Sequence, residues 1–356
     1  MAKSNPEFAW QNKIINHAQV GGIETSVLDN GLGKGNRIAW INTGSGLRYK
    51  VVIDRALDIT EAFYNQHSLV WLSHSGVTTA HPKAGLEWLC RFAGGLLTTC
   101  GLTHTGPPES DEFGDRGIHG RISNIPAELE SIVQPDPVEG KLEMSITAVV
   151  KQSRLFGPNL ELRRTISSTI GKPAIRIHDV VTNLGNDKSP HMILYHCNYG
   201  WPLVDEGTEI VWKGKCVSRG MDMDNAIFNR KHDFRKCCKP LSSHKGGGEA
   251  CGFIDVATDK KGFCTIGLYN QKLGLAVAMR YNKKQLPCLT NWQHWGAGEY
   301  VTGLEPGTNP PIGQGKARKQ KKLIHIPPGK SKTYDLTITV LADERQIKRF
   351  LNTAGQ

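Results

Sequence analysis

Ser189-Pro190-His191-Met192-Ile193-Leu194-Tyr195-His196-Cys197-Asn198-Tyr199-Gly200 decides how this chain is read. It is an apolar, β-branched run that ends in His, Asn and Tyr before a Gly-Trp-Pro break. Two strand-like runs lead into it, Leu160 to Ile166 and Ala174 to Asn183, and both alternate in character. Gly171-Lys172-Pro173 and Leu184-Gly185-Asn186-Asp187 are the turns between them. A strand with polar residues at its end puts chemistry on a sheet's rim or concave face. On this strand alone, His196 reads equally as a satisfied core histidine.

The rest of the chain repeats the pattern. Gly22–Leu28, Arg37–Asn42, Arg48–Ile53, Leu57–Tyr64 and Leu69–Leu72 are short strand signals separated by turns. Phe263–Tyr269, Leu275–Arg280, Cys288–Gln293 and Thr333–Leu341 continue it, and a short helix is expected from about Asp343 to Asn352 with Ile347, Phe350 and Leu351 on one face. Such spacing predicts an all-β sandwich or barrel. Residues 1–20 read as an N-terminal extension and 21–356 as one domain. The glycine- and lysine-rich stretch at about 211–248 reads as a polar excursion from the sheet.

Two places stand out for chemistry. The polar loops between His81 and Pro126 carry Gly117-Ile118-His119-Gly120-Arg121-Ile122-Ser123-Asn124, whose donors suit hydroxyl or carboxylate oxygens. The plainer reading is a loop held by its own hydrogen bonds. Glu305 closes an apolar strand just before Pro306-Gly307, so its carboxylate is expected at a sheet end. The glycines from Gly35 to Gly46 lack a strand–helix context and are no dinucleotide fingerprint.

The 356 residues carry a net charge of +11. Much of the excess sits in Arg230–Lys239 and Lys316–Lys322, and the second reads as a solvated turn. No aromatic residues interleave with it as a stacking platform for nucleic acid would need, so no nucleic-acid partner is expected. No apolar run spans a membrane. The N-terminus shows no signal-peptide core, which points to the cytoplasm for the chain as given. The nine cysteines include several within apolar strands, where a reduced cysteine packs as a small hydrophobe, and none stands at zinc-finger spacing.

Five segments in series carry a family resemblance: Asp54–Ile59, Gly94–Leu102, Ile118–Asn124, Leu194–Gly200 and Gly303-Leu304-Glu305-Pro306. Together they resemble the aldose 1-epimerase (galactose mutarotase-like) superfamily, and within it the uncharacterised DUF4432 branch. The resemblance implies a large antiparallel β-supersandwich whose concave face binds a sugar, with no cofactor. It also implies anomer interconversion by an acid and a base on either side of the anomeric carbon. By motif position the catalytic His is His196 and the catalytic Glu is Glu305, acting as acid and base. His119 is the substrate-positioning histidine. Arg55 is the expected sugar-contacting arginine, with Arg121 and Asn198 as further substrate contacts.

There are departures from the family pattern. Cys197-Asn198-Tyr199 follows the histidine instead of Tyr-Phe-Asn, and Asp54-Arg55-Ala56 replaces a double-arginine stretch. A different pocket floor leaves a second class open. His119, His196, Glu305 and either His294 or His191 are candidate ligands for a divalent transition metal in a keto-sugar isomerase, epimerase or lyase. His191 and His196, five apart on a strand, face opposite sides and cannot both be ligands without a bulge. A non-catalytic carbohydrate-binding protein is the third class. A sugar is the expected partner in all three; nothing in the sequence fixes an oligomeric state.

Overall fold

Antiparallel strand pairing organises the chain. The computed structural model describes residues 13–81, 87–112 and 114–354. Gly22–Val27, Arg37–Asn42, Leu47–Val52, Asp58–Tyr64 and His67–Ser68 form a five-stranded meander. An eight-stranded sheet runs in the order Glu209–Val211, Phe263–Asn270, Leu275–Asn282, Ser331–Leu341, Ala174–Asn183, Leu160–Thr169, Glu143–Gln152, Glu128–Val133. A seven-stranded sheet runs Gly214–Ser218, Ala250–Val256, Cys288–Gly296, Glu299–Gly307, Ser189–Tyr199, Ile324–Ile326, with Thr98–Leu102 also pairing to Ser189–Tyr199.

Alternation explains the packing. Leu160, Leu162, Ile166, Ile175, Ile177 and Val181 point inward from two neighbouring strands, and Ile193, Tyr195, Cys197 and Tyr199 meet them in the same core. Each fully buried Ile or Leu contributes about 1.5–3 kcal/mol. Ser189–Tyr199 is covered on both faces, so it reads as a continuous apolar run rather than an alternating one.

One polar crosslink crosses that core. Arg164 grips Asp179 through Nε (2.9 Å) and Nη2 (2.7 Å), while its Nη1 reaches Asp58 Oδ1 (3.1 Å) and Thr99 Oγ1 (2.8 Å). Tyr195 Oη donates to Asp179 at 2.7 Å. The cluster joins five strands, and two of them flank the site described below.

The C-terminal helix, Glu344–Ala354, starts on Asp343, whose Oδ1 accepts from the Arg345 and Gln346 amides at 3.0 Å. Ile347, Phe350 and Ala354 bury against Val211 and Ala276.

Four sequence expectations are corrected. Leu69–Leu72 makes isolated bridges, Val70 to Tyr199 and Leu72 to Gly94, instead of a ladder. Basic residues 316–322 open on a short helix, Gln314–Lys319, and not on a turn. The stretch at 211–248 leaves the sheets later than expected: it buries Trp212 and supplies the edge strand Gly214–Ser218, and only then departs through the helix Asp222–Ile227. Glu305 does not stand at a strand end either. The strand continues through Pro306 to Gly307, because a proline removes one ladder donor without stopping the extended backbone.

Candidate active site

The register of two strands creates the site. Leu194 pairs with Gly307 and Cys197 with Leu304, so the same antiparallel register sets His196 directly across from Glu305. Cross-strand neighbours on one face lie close enough for side chains to touch. His196 Nε2 stands 3.3 Å from Glu305 Oε1. Gly303 precedes Glu305 by two residues on the same face, and a Cβ there would lie 2.5 Å from Glu305 Oε1. The carboxyl therefore lies in space that only glycine leaves open.

Aromatic rings wall this pair. Phe92 and Trp292 stand 5.1 and 5.5 Å from the His196 ring, and Trp71 packs on both at 6.0 and 6.1 Å. Trp88 stacks on Phe92 at 4.6 Å and meets His119 at 5.0 Å. Trp88 and Phe92 are four residues apart at the short helix Glu87–Cys90, which brings their rings together. The glycine pair Gly94-Gly95 allows close approach of another part of the chain: a Cβ on Gly95 would lie 2.7 Å from Thr60 Cα.

Burial sets the charge state. It lowers His196 to about 3, only partly offset by the neighbouring Asn198 amide. It raises Glu305 well above the usual carboxylate range; the nearby Glu249 carboxylate adds to that rise and Arg219 opposes it. Burial thus favours a neutral imidazole beside a protonated carboxyl. Glu305 Oε1 and His196 Nδ1 are both buried without a hydrogen-bond partner. Leaving such atoms unpaired costs ~1–3 kcal/mol each. A ligand that bonds to them recovers that cost.

His119 joins the pair, its ring 5.8 Å from that of His196. It sits at φ +52°, followed by Gly120 at φ +72°, a tight left-handed turn. Its amide donates to Gly106 O at 2.9 Å, and burial with the nearby His196 holds its imidazole neutral. Asn198 is fully buried; its Nδ2 donates to Gly95 O and His196 O, and its Oδ1 has no partner.

Other expected residues lie elsewhere. The Arg55 guanidinium is buried and donates to Ser123 O, Thr78 O and Oγ1, and Arg91 O. It ties together the loops behind the aromatic wall. Arg121 donates to Ser153 O, away from the pair. His191 is a satisfied core histidine, bonded to Leu102 O and Tyr334 Oη. His294 bonds Gly248 O and neighbours Glu299 at 3.4 Å. Among the described residues, no three His, Cys, Asp or Glu side chains converge with metal-ligating geometry.

Sequence reading missed Glu249. Its Oε2 accepts from Trp292 Nε1 at 2.7 Å, and its Oε1 accepts from Arg219 Nη1 at 2.7 Å. Arg219 belongs to the supposed excursion, so that segment braces the Trp292 wall. A glutamate just after Gly246-Gly247-Gly248 gives no periodic signal.

A family model described as a domain of unknown function, DUF4432, matches residues 33–340. The chain belongs to the DUF4432 family. Solved structures place that family's fold. A Klebsiella pneumoniae protein described provisionally as an aldose 1-epimerase is 25% identical, with a TM-score of 0.85 over 95% of this chain and 90% of that one. A galactose mutarotase-like protein from Clostridium acetobutylicum superposes at 0.63 with 11% identity, over 91% and 99% of the two chains. An Escherichia coli protein, also provisionally an aldose 1-epimerase, gives 0.51 with 13% identity over 83% and 96%. This DUF4432 member therefore has the galactose mutarotase-like fold, an antiparallel β-supersandwich. No functionally curated protein matches it in sequence. No helix among the described residues is long and apolar enough to cross a membrane.

Proposed function

We propose that the protein is a carbohydrate isomerase of the aldose 1-epimerase type, with His196 and Glu305 as its proton-transfer pair. The carrying observation is the pair itself: a buried carboxyl and a buried imidazole 3.3 Å apart, each with an unpartnered atom.

Anomer exchange needs a proton delivered to the ring oxygen while another leaves the anomeric hydroxyl. Both oxygens are bonded to the same carbon, so one compact acid–base pair can reach both. The C1–O5 bond breaks, C1 becomes an aldehyde, the C1–C2 bond rotates, and the reverse transfers close the ring on the other face. One member must carry the proton and the other must be free to take one. Burial favours that proton on Glu305 over His196. The family resemblance assigns the acid role to His196, and the two states differ by one proton transfer within the pair. The aromatic rings offer apolar faces to the C–H side of a pyranose, and His119 and Asn198 Oδ1 supply polar contacts for its hydroxyls.

The test is proton NMR exchange between the anomers of a panel of aldoses and keto-sugars. Exchange above the buffer rate that is lost in Glu305→Gln supports the proposal. Unchanged exchange in that variant rejects it.

A further inference from the structure

A groove of about 1170 Å³ runs from Gly120, the residue after His119, out to Asn183 and Pro190. Ser189 and Pro190 line it, while His196 lies six to seven residues further along the same strand. At about 3.4 Å per residue that end of the groove is ~20 Å from His196.

The groove is strongly cationic. Arg116, Arg121, Arg154, Lys188, Arg318 and His325 face it, against Asp115 and Asp187. Arg116 is committed to Glu109 and Asp111, and Arg318 lies 3.5 Å from Asp111. Arg121 and Arg154 have no carboxylate within ion-pair distance among the described residues. They are close enough that the Arg154 charge, with burial, depresses Arg121. Two guanidiniums with no counter-ion repel, and an anion between them turns that repulsion into two charge-assisted hydrogen-bonded contacts. The floor is built of buried polar side chains, Gln152, His104, Gln314 and Asn183. At the rim Phe156 is 97% exposed and held at φ +56°, a conformation unusual for a bulky residue. Its ring is free to cover the apolar face of a bound sugar.

We propose that this groove is a second ligand site, which takes a phosphate group between Arg121 and Arg154, either as free phosphate or on a phosphorylated sugar. It is independent of the assignment of His196 and Glu305.

Isothermal titration of the full chain with inorganic phosphate, glucose 6-phosphate and glucose tests it. Phosphate and glucose 6-phosphate are expected to bind, more weakly as salt rises, and glucose is not expected to bind in the groove. Arg154→Gln and Arg121→Gln should each weaken phosphate at least ~10-fold, while Glu305→Gln and the terminal-helix control Arg345→Gln leave it unchanged. A glucose 6-phosphate advantage over phosphate that Phe156→Ala removes identifies the sugar phosphate; equal affinities identify free phosphate. The proposal is overturned by no phosphate binding up to about 10 mM. Binding that survives Arg154→Gln, or that Glu305→Gln abolishes, also overturns it.

Discussion

His196 and Glu305 face each other across two antiparallel strands, Nε2 to Oε1 at 3.3 Å, and burial keeps both uncharged. The pH dependence of turnover follows from this. Lowering the pH protonates His196 only near its depressed value of about 3. Raising it removes the shared proton only when Glu305 ionises, well above the usual range. The pH profile of kcat/KM should therefore lack a histidine inflection near pH 6.5, the ordinary histidine value. A full inflection there would show that the pair is not buried and neutral in the working enzyme.

The same burial predicts a stability cost. Unfolded Glu305 ionises above about pH 4.3 while the folded residue keeps its proton, so this residue makes stability fall as pH rises above that point. The slope approaches ~1.4 kcal/mol per pH unit until the folded group ionises. Glu305→Gln removes the slope. Chemical denaturation should find the variant more stable than wild type at pH 7, and the two should converge below pH 4.

Gly303 leaves the room in which the Glu305 carboxyl lies. Gly303→Ala puts a Cβ 2.5 Å from Oε1, and the flexible carboxyl is the part able to move. Because an ångström of misplacement costs about 10²-fold in rate, kcat should fall by that order while the melting temperature changes little. A variant with normal kcat would remove this constraint on the acid.

Glu249 holds Trp292 and adds negative charge near Glu305. Glu249→Gln keeps an acceptor for the indole N–H but deletes the charge. The alkaline limb of the pH–rate profile should move to lower pH, since Glu305 then ionises more readily. A limb that stays in place would show that the two carboxyls do not communicate.

Arg164 is the crosslink beneath the site. Arg164→Leu strands Asp179 and should cost ~3–5 kcal/mol in urea unfolding. The double variant Arg164→Leu/Asp179→Leu should cost less than the sum of the two single changes, because Asp179 is no longer left unpaired, although Asp58 still loses its Arg164 contact.

Much of the fold was legible because strand alternation is a local signal. Ala174–Asn183 matches its predicted bounds, and the terminal helix is displaced by only a residue or two. The family resemblance nominated His196 and Glu305, and each also stands out as a polar residue in an apolar run. What was not legible is three-dimensional. Register, which sets His196 opposite Glu305, depends on pairing between segments about a hundred residues apart. The aromatic wall gathers Trp71, Trp88, Phe92 and Trp292 from different elements, and no spacing announces it. Arg55 illustrates the reverse: a motif position suggested a sugar contact, while its donors go to loop carbonyls and one threonine hydroxyl.

The most direct measurement is anomer exchange by proton NMR for wild type, His196→Ala and Glu305→Gln on the same sugar panel. Wild type should exchange the anomers of at least one sugar above the buffer rate, and each variant should lose at least ~10²-fold. Full exchange in either variant would contradict the assignment of this pair as the proton-transfer groups.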